Sequence, residues 1–180
     1  MGFSTGGSGV QGGVSLHKWF GPGVRWHTGE DTDPWRWRIR VLTDRGDIAY
    51  GKVFLGNGGF ITRRWYPLFV AVRRGGQCLD ELYAGGLIGR DEAAIYRAIE
   101  DEGDIDAHAL KRKLAISREG NGRFEGALTR LQTRLLVTVS GEGRFLDKFG
   151  QPYGWAINRY QTVERFFGPE IDDEAAGIDP

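Results

Sequence analysis

Residues 123–140 read RFEGALTRLQTRLLVTVS, and the fold is decided here. Phe124, Ala127, Leu128, Leu131 and Leu135 fall at i, i+3, i+4, i+7 and i+11, one stripe of an amphipathic helix. Val137-Thr138-Val139-Ser140 then changes to the period of two that marks a strand. Working backward, Asp106 caps a helix with Leu110 and Leu114 inward and Lys111, Arg112 and Lys113 outward. Before it, Asp91 caps a helix that aligns Ile95, Ala98 and Ile99 and stops at Gly103. Working forward, residues 155–160 form the return strand across a glycine-rich loop over 141–154. The predicted order is helix, helix, helix, strand, loop, strand.

Farther back, residues 35–41 (WRWRIRV) alternate apolar and basic side chains, which predicts a strand. Thr43 to Asp47 is a turn, Ile48 to Leu55 the returning strand, Gly56 to Gly59 a second turn and Phe60 to Trp65 a third strand. Pro67 interrupts this antiparallel meander, and Leu68 to Val72 is a short apolar run of open type. Cys78, Leu79, Leu82 and Tyr83 space a short helix that Gly85-Gly86 ends. On a strand, Arg36, Arg38 and Arg40 would project on one face, about 6.7 Å apart. They form either a row for phosphates or a solvated sheet face. Trp35 and Trp37 would meet Tyr50 and Phe54 in an aromatic pocket. Lys52 is then either a ligand-facing ammonium or a stem lying on a ring with its head in water. Glu30, Asp31 and Asp33 precede the ribbon, either as an acid that polarises water or as a turn before Pro34.

The chain has 180 residues, with 24 Lys+Arg against 24 Asp+Glu, 29 glycines and six tryptophans. That length gives one or two small domains and excludes a large barrel or a solenoid. No apolar run approaches the ~20 residues of a membrane helix, so no membrane partner is expected. A single cysteine, Cys78, suits a reducing cytoplasm. Residues 1–15 read as a flexible Gly/Ser-rich tail without a signal peptide's features. Residues 16–87 are an N-terminal Trp/Arg-rich region, 88–168 the three-helix unit, and 169–180 a disordered acidic tail. Charge runs from a basic excess over 1–87 to an acidic excess over 141–180. A basic body with an acidic tail suits an anionic partner. There is no GxxxxGK[ST] and no Gly-x-Ser-x-Gly, and His17, His27 and His108 are scattered, so no cofactor and no metal is expected.

The segments GDIDAHALKRKLA (103–115) and FEGALTRLQTRLLVTVSG (124–141) resemble the winged helix-turn-helix superfamily, over residues 91–160. The chain as a whole is similar to a family of small bacterial proteins called AlkZ-related. The matching stretches are HTGEDTDPWRWR (27–38), GDIAYGKVFLGNGGFITRRWYPLFVAVRR (46–74) and YGWAINRYQTVERFFG (153–168). The resemblance implies an α+β fold with a C-terminal winged helix and a link to winged-helix DNA glycosylases, which remove alkylated bases. Those enzymes activate water with two glutamines, or a glutamine and an aspartate, one residue apart. Here glutamines stand at 11, 77, 132, 151 and 161, and none has Gln or Asp two positions away. The catalytic pair therefore does not carry over.

In such folds the third helix enters the DNA major groove and the wing touches the flanking backbone. The outward stripe here is Gly126, Thr129, Arg130 and Thr133, with Arg123 and Arg134 beside it. Arginine reads guanine bidentately, and threonine contacts phosphate or a thymine methyl. Gly126 costs roughly 1 kcal/mol in a helix, which either a closely approaching partner or packing against the first half explains. Lys111 and Arg112 would touch phosphates, and Arg144 and Lys148 lie in the wing. The expectation is duplex-DNA binding. A glycosylase using Asp33 and Lys52 is the alternative, and a protein-interaction module, with a homodimer open, is the third.

Overall fold

The computed structural model describes residues 23–28 and 30–179 and the backbone of 3–4 and 14–15, with the side chains of 146, 152 and 155 excepted. The tail predicted over 1–15 lies outside the described residues apart from those two pairs, which form strands β1 (Phe3–Ser4) and β2 (Val14–Ser15).

The stretch predicted as a Trp/Arg strand is a helix, α1 (Pro34–Asp44). The cause is its first two residues. Asp33 accepts the Trp35 N–H at 2.9 Å as N-cap, and Pro34 stands in the first turn, where its missing N–H costs nothing. A helix turns Trp35, Arg38, Ile39 and Leu42 toward the body, with Ile39 and Leu42 buried. The three arginines thus do not form a row. Arg38 goes inward, while Arg36 and Arg40 stay exposed, 3.7 and 3.9 Å from Asp31.

The hairpin β3 (Ile48–Phe54) and β4 (Asn57–Thr62) follows. Its turn is Leu55-Gly56, both at positive φ (51° and 78°), one residue earlier than the sequence predicts. Pro67 opens α2 (Tyr66–Arg74) instead of merely ending a strand, and α3 (Leu79–Ala84) is the short helix expected. The second half runs α4 (Arg90–Glu102), β5 (Ile105–Asp106), α5 (Ala107–Lys113), α6 (Asn121–Thr133), β6 (Val137–Leu146) and β7 (Pro152–Thr162). The predicted order of three helices and two long strands is present, with β5 added. Helices α7 (Val163–Phe167) and α8 (Glu170–Ala176) close the chain.

The protein is α+β. Among the described residues one sheet has the order β2-β1-β4-β3-β6-β7-β5, antiparallel except at β1·β2. Tyr50 pairs with Val139, so the N-terminal hairpin continues the sheet of the second half. Two cores lie against it. Tyr50 joins Ile39, Leu42, Ile99, Leu110, Phe124, Leu128 and Leu131 in one. Ala49 and Val53 point the other way, to Val70, Leu135, Val163, Ile171 and Ala175.

The acidic end is ordered helix, not a disordered tail. Ile171 and Ala175 are buried, and Arg74 of α2 supplies the reason. Its side chain is fully buried and donates to Asp172 at 2.7 and 3.1 Å, with Glu164 at 3.4 Å. Arg63 reaches Glu174 at 2.7 and 2.8 Å. The acids are counter-ions for cations about a hundred residues away.

Candidate nucleic-acid interface

The outer groups of α6 find partners within the protein, although Thr129 and Thr133 are only half-buried and Arg123 and Arg130 stay exposed. Beyond Tyr50, whose partner in β6 is Val139, side chains of α6 take over as the neighbour of β3. Gln132, 2% exposed, accepts the Lys52 N–H at 3.0 Å, and the Thr133 hydroxyl donates to the Lys52 carbonyl at 3.0 Å. The Lys52 ammonium reaches the Thr129 hydroxyl at 3.3 Å. A Cβ on Gly51 would sit 3.2 Å from the Gln132 amide oxygen, so the missing side chain permits this approach. Arg130 pairs with Glu92, Arg123 with Asp91, and Arg134 donates to the Leu87 carbonyl at 2.7 Å. Thr129 and Thr133, predicted to face a groove, instead hold the β3–β4 hairpin.

The predicted aromatic pocket is not assembled either. Tyr50 is buried, Phe54 packs on Phe69 in the second core, and Trp37 is exposed with its indole N–H on the Asp31 carbonyl at 2.7 Å. The helical α1 is the reason, because it spreads alternate residues around an axis. Lys52 and Asp33 take separate partners, the Thr129 hydroxyl and the Trp35 N–H, and of the two only Asp33 lines the space beside α1.

A different concavity stands beside the wing. His27, Asp33, Trp35, Arg36, Glu142 and Arg144 line a space of 490 Å³ between the start of α1 and the β6–β7 hairpin. Trp35 forms its aromatic wall, held between the His27 ring at 4.8 Å and the Arg38 guanidinium at 4.1 Å. Asp33 is buried, taking the N–H groups of Trp35 and His27 on Oδ1. Glu142 lies 4.0 Å from Arg38.

The turn of the β6–β7 hairpin is built by Asp147, whose Oδ1 accepts the N–H groups of Phe149 and Gln151 at 2.8 and 2.9 Å. Gly150, at φ 77°, completes the turn. The rings of Phe145, Phe149 and Tyr153 are left exposed, Phe149 by 75%. Composition did not reveal them, since a glycine-rich loop reads as polar. Lys148 lies over the Phe149 ring at 4.9 Å and Arg144 lines the space beside α1, and neither has a carboxylate within 4 Å among the described residues. Both wing acids are turned inward to tasks of their own, Asp147 to the turn and Glu142 to Arg38. On α5, Lys111 is bound to Glu125 at 2.7 Å, whereas Arg112 is exposed with no ion pair among the described residues.

No helix among the described residues is long and apolar enough to cross a membrane. A family model described as AlkZ related matches residues 1–180. No curated protein and no solved structure matches the chain.

Proposed function

The chain belongs to the AlkZ-related family, and from that premise we propose that it is a winged-helix protein that binds duplex DNA through its wing, in DNA repair. The order α4, β5, α5, α6, β6, β7, with β5 edge-paired to β7, supports the winged-helix reading. The outer side chains of its third helix are engaged by Lys52, Glu92 and Asp91 of the protein itself, which favours the neighbouring surface for contact. The observation that carries this is the wing, with Arg144 and Lys148 unpaired beside three exposed rings. Cations neutralise phosphates, and rings at the tip of a hairpin can wedge between base steps. Arg112, exposed and without an ion pair among the described residues, adds charge at the flank.

Fluorescence anisotropy of a labelled duplex against salt tests this. Three phosphates neutralised by Arg112, Arg144 and Lys148 give a log–log slope of about −2.7. Lys148→Ala and Arg144→Ala each reduce that slope by about 0.9. Binding absent at low salt, or insensitive to it, refutes the reading and leaves an interaction module.

The pocket favours a second reading, base excision. A space of 490 Å³ walled by Trp35 and carrying the Asp33 and Glu142 carboxylates suits an everted base stacked on an indole. Release of an alkylated base from duplex DNA, lost in Glu142→Gln or Asp33→Asn, tests it. Asparagine still caps α1, so loss in Asp33→Asn reports chemistry, with Lys52 outside the set.

A further inference from the structure

A second concavity, sharing no residue with the pocket beside α1, lies between α2, the β3–β4 turn and the end of α6. Its lining is Phe54, Leu55, Arg73, Arg130, Thr133 and Arg134, around 450 Å³. Three guanidiniums enter one small space. Arg130 is neutralised by Glu92. Arg73 and Arg134 have no carboxylate within 4 Å among the described residues, only the carbonyls of Thr133 at 2.6 Å and Leu87 at 2.7 Å.

Arg73 is half-buried, its guanidinium 5.8 Å from the Phe54 ring and 5.7 Å from Phe69. Burial pulls the guanidinium below its ordinary value, with Tyr66 working against that. A cation taken out of water without a counter-ion is costly, and an anion in the space offsets that cost. Of the five N–H donors of Arg73, one is engaged by Thr133.

The opposite wall is apolar and strained. Leu55 is 83% exposed and holds φ at 51°, a region that leucine rarely adopts. Glycine or asparagine would serve the turn better, and an exposed leucine has no folding role to recommend it. Such strain at a concave surface points to a ligand rather than to the fold.

We infer that this cavity is a phosphate-binding site, in which Arg73 and Arg134 clamp phosphate oxygens and Phe54 with Leu55 cover the apolar body that carries them. Guanidinium forks match phosphate in geometry and charge. The phosphate is that of a mononucleotide or of a nucleic-acid backbone. The inference does not depend on DNA contact at the wing.

The test is titration of the full chain, observed at the arginine Nε–H groups by NMR, in 0.1 M sodium chloride. The probes are inorganic phosphate, thymidine monophosphate and the dinucleotide TpT. Saturable shifts of Arg73 and Arg134 are expected, with sulfate competing and chloride not. Tighter binding of the monophosphate assigns a free nucleotide, and tighter binding of TpT a backbone phosphate. Arg134→Gln weakens binding about tenfold by removing one charged fork. Arg118→Gln, on an exposed loop outside the cavity, leaves it unchanged. Should Arg73→Gln fail to fold, Leu55→Gly relieves the strained turn and weakens the nucleotide more than inorganic phosphate. Absence of a saturable shift with every probe, or affinity unaltered in Arg134→Gln, overturns the inference. Wing variants leave it intact, so failure of the DNA reading is separately visible.

Discussion

Replacing Gln132 and Thr133 tests whether the outer face of α6 is a packing surface. Gln132→Leu keeps the volume but removes the acceptor of the Lys52 N–H, a 3.0 Å bond made by a side chain only 2% exposed. A buried amide left without a partner costs about 1–3 kcal/mol. Thr133→Val is isosteric and removes the 3.0 Å donor to the Lys52 carbonyl, at about 0.5–1.5 kcal/mol because water can replace part of it. Both changes act on one residue's backbone, so the double variant departs from additivity. Urea unfolding followed by tryptophan fluorescence reads the losses as midpoint shifts at constant m. Duplex affinity of the folded variants should stay within about twofold, since no DNA-facing group is changed. Variants of wild-type stability that lose tenfold or more in duplex affinity would show that this face reads a groove, and the account of the hairpin would be wrong.

Gly126→Ala should stabilise the protein by about 0.5–1 kcal/mol, because its Cβ would meet only the Arg130 guanidinium at 3.4 Å and helix propensity improves. A thermal melt checks the sign. Arg74→Met leaves Asp172 and Glu164 without their cation and should cost about 3–5 kcal/mol, with limited proteolysis then cutting within α8. Two glutamates divide the pH dependence. Burial works to raise Glu92, but the Arg130 hydrogen bond and backbone N–H groups hold it below 4.5, so its stabilisation is present above that value and lost as pH falls. Burial raises Glu164, against the pull of Arg74 and Tyr96, so its contribution is full below 4.5 and lost as pH rises. Glu164→Gln should therefore gain on the wild type as pH rises above 4.5, read in denaturant midpoints. A parallel pair of curves would contradict the assignment.

Local patterns made the second half legible, and their limits explain what was misread. The stripe Phe124, Ala127, Leu128, Leu131 is buried as its spacing requires. That spacing describes only the inward side. What covers the outward side comes from β3, 80 residues away at the Lys52–Gln132 bond, and no local period records it. In WRWRIRV the alternation fits a strand, yet the same residues place Trp35, Arg38, Ile39 and Leu42 on one helical face. The cap Asp33-Pro34 decides between them, and an alternation of apolar and basic residues does not record a cap. The acidic end failed for a related reason. Its charge suggests a solvated tail, but Arg74 needs those acids, and Ile171 and Ala175 sit among them at helical spacing.

For the proposed DNA binding, the internal partners of the α6 side chains also change what kind of recognition the molecule is suited to. A helix face reads sequence by placing donors and acceptors against base edges in the major groove. Here the hydroxyls of Thr129 and Thr133 are spent on Lys52, and Arg130 is spent on Glu92. The free groups are guanidinium and ammonium charges and flat rings. Charges of this kind bind phosphates without regard to sequence, and rings stack on any base. If the proposed DNA binding holds, the surface is equipped to find a site where the duplex deforms easily or a base leaves the stack, rather than a particular order of base pairs. That preference is what a repair protein needs, because damage is not defined by sequence. On the proposed reading, the engagement of α6 by β3 and the exposure of the β6–β7 hairpin are two sides of one arrangement, in which sequence reading is given up and access to distorted DNA is kept.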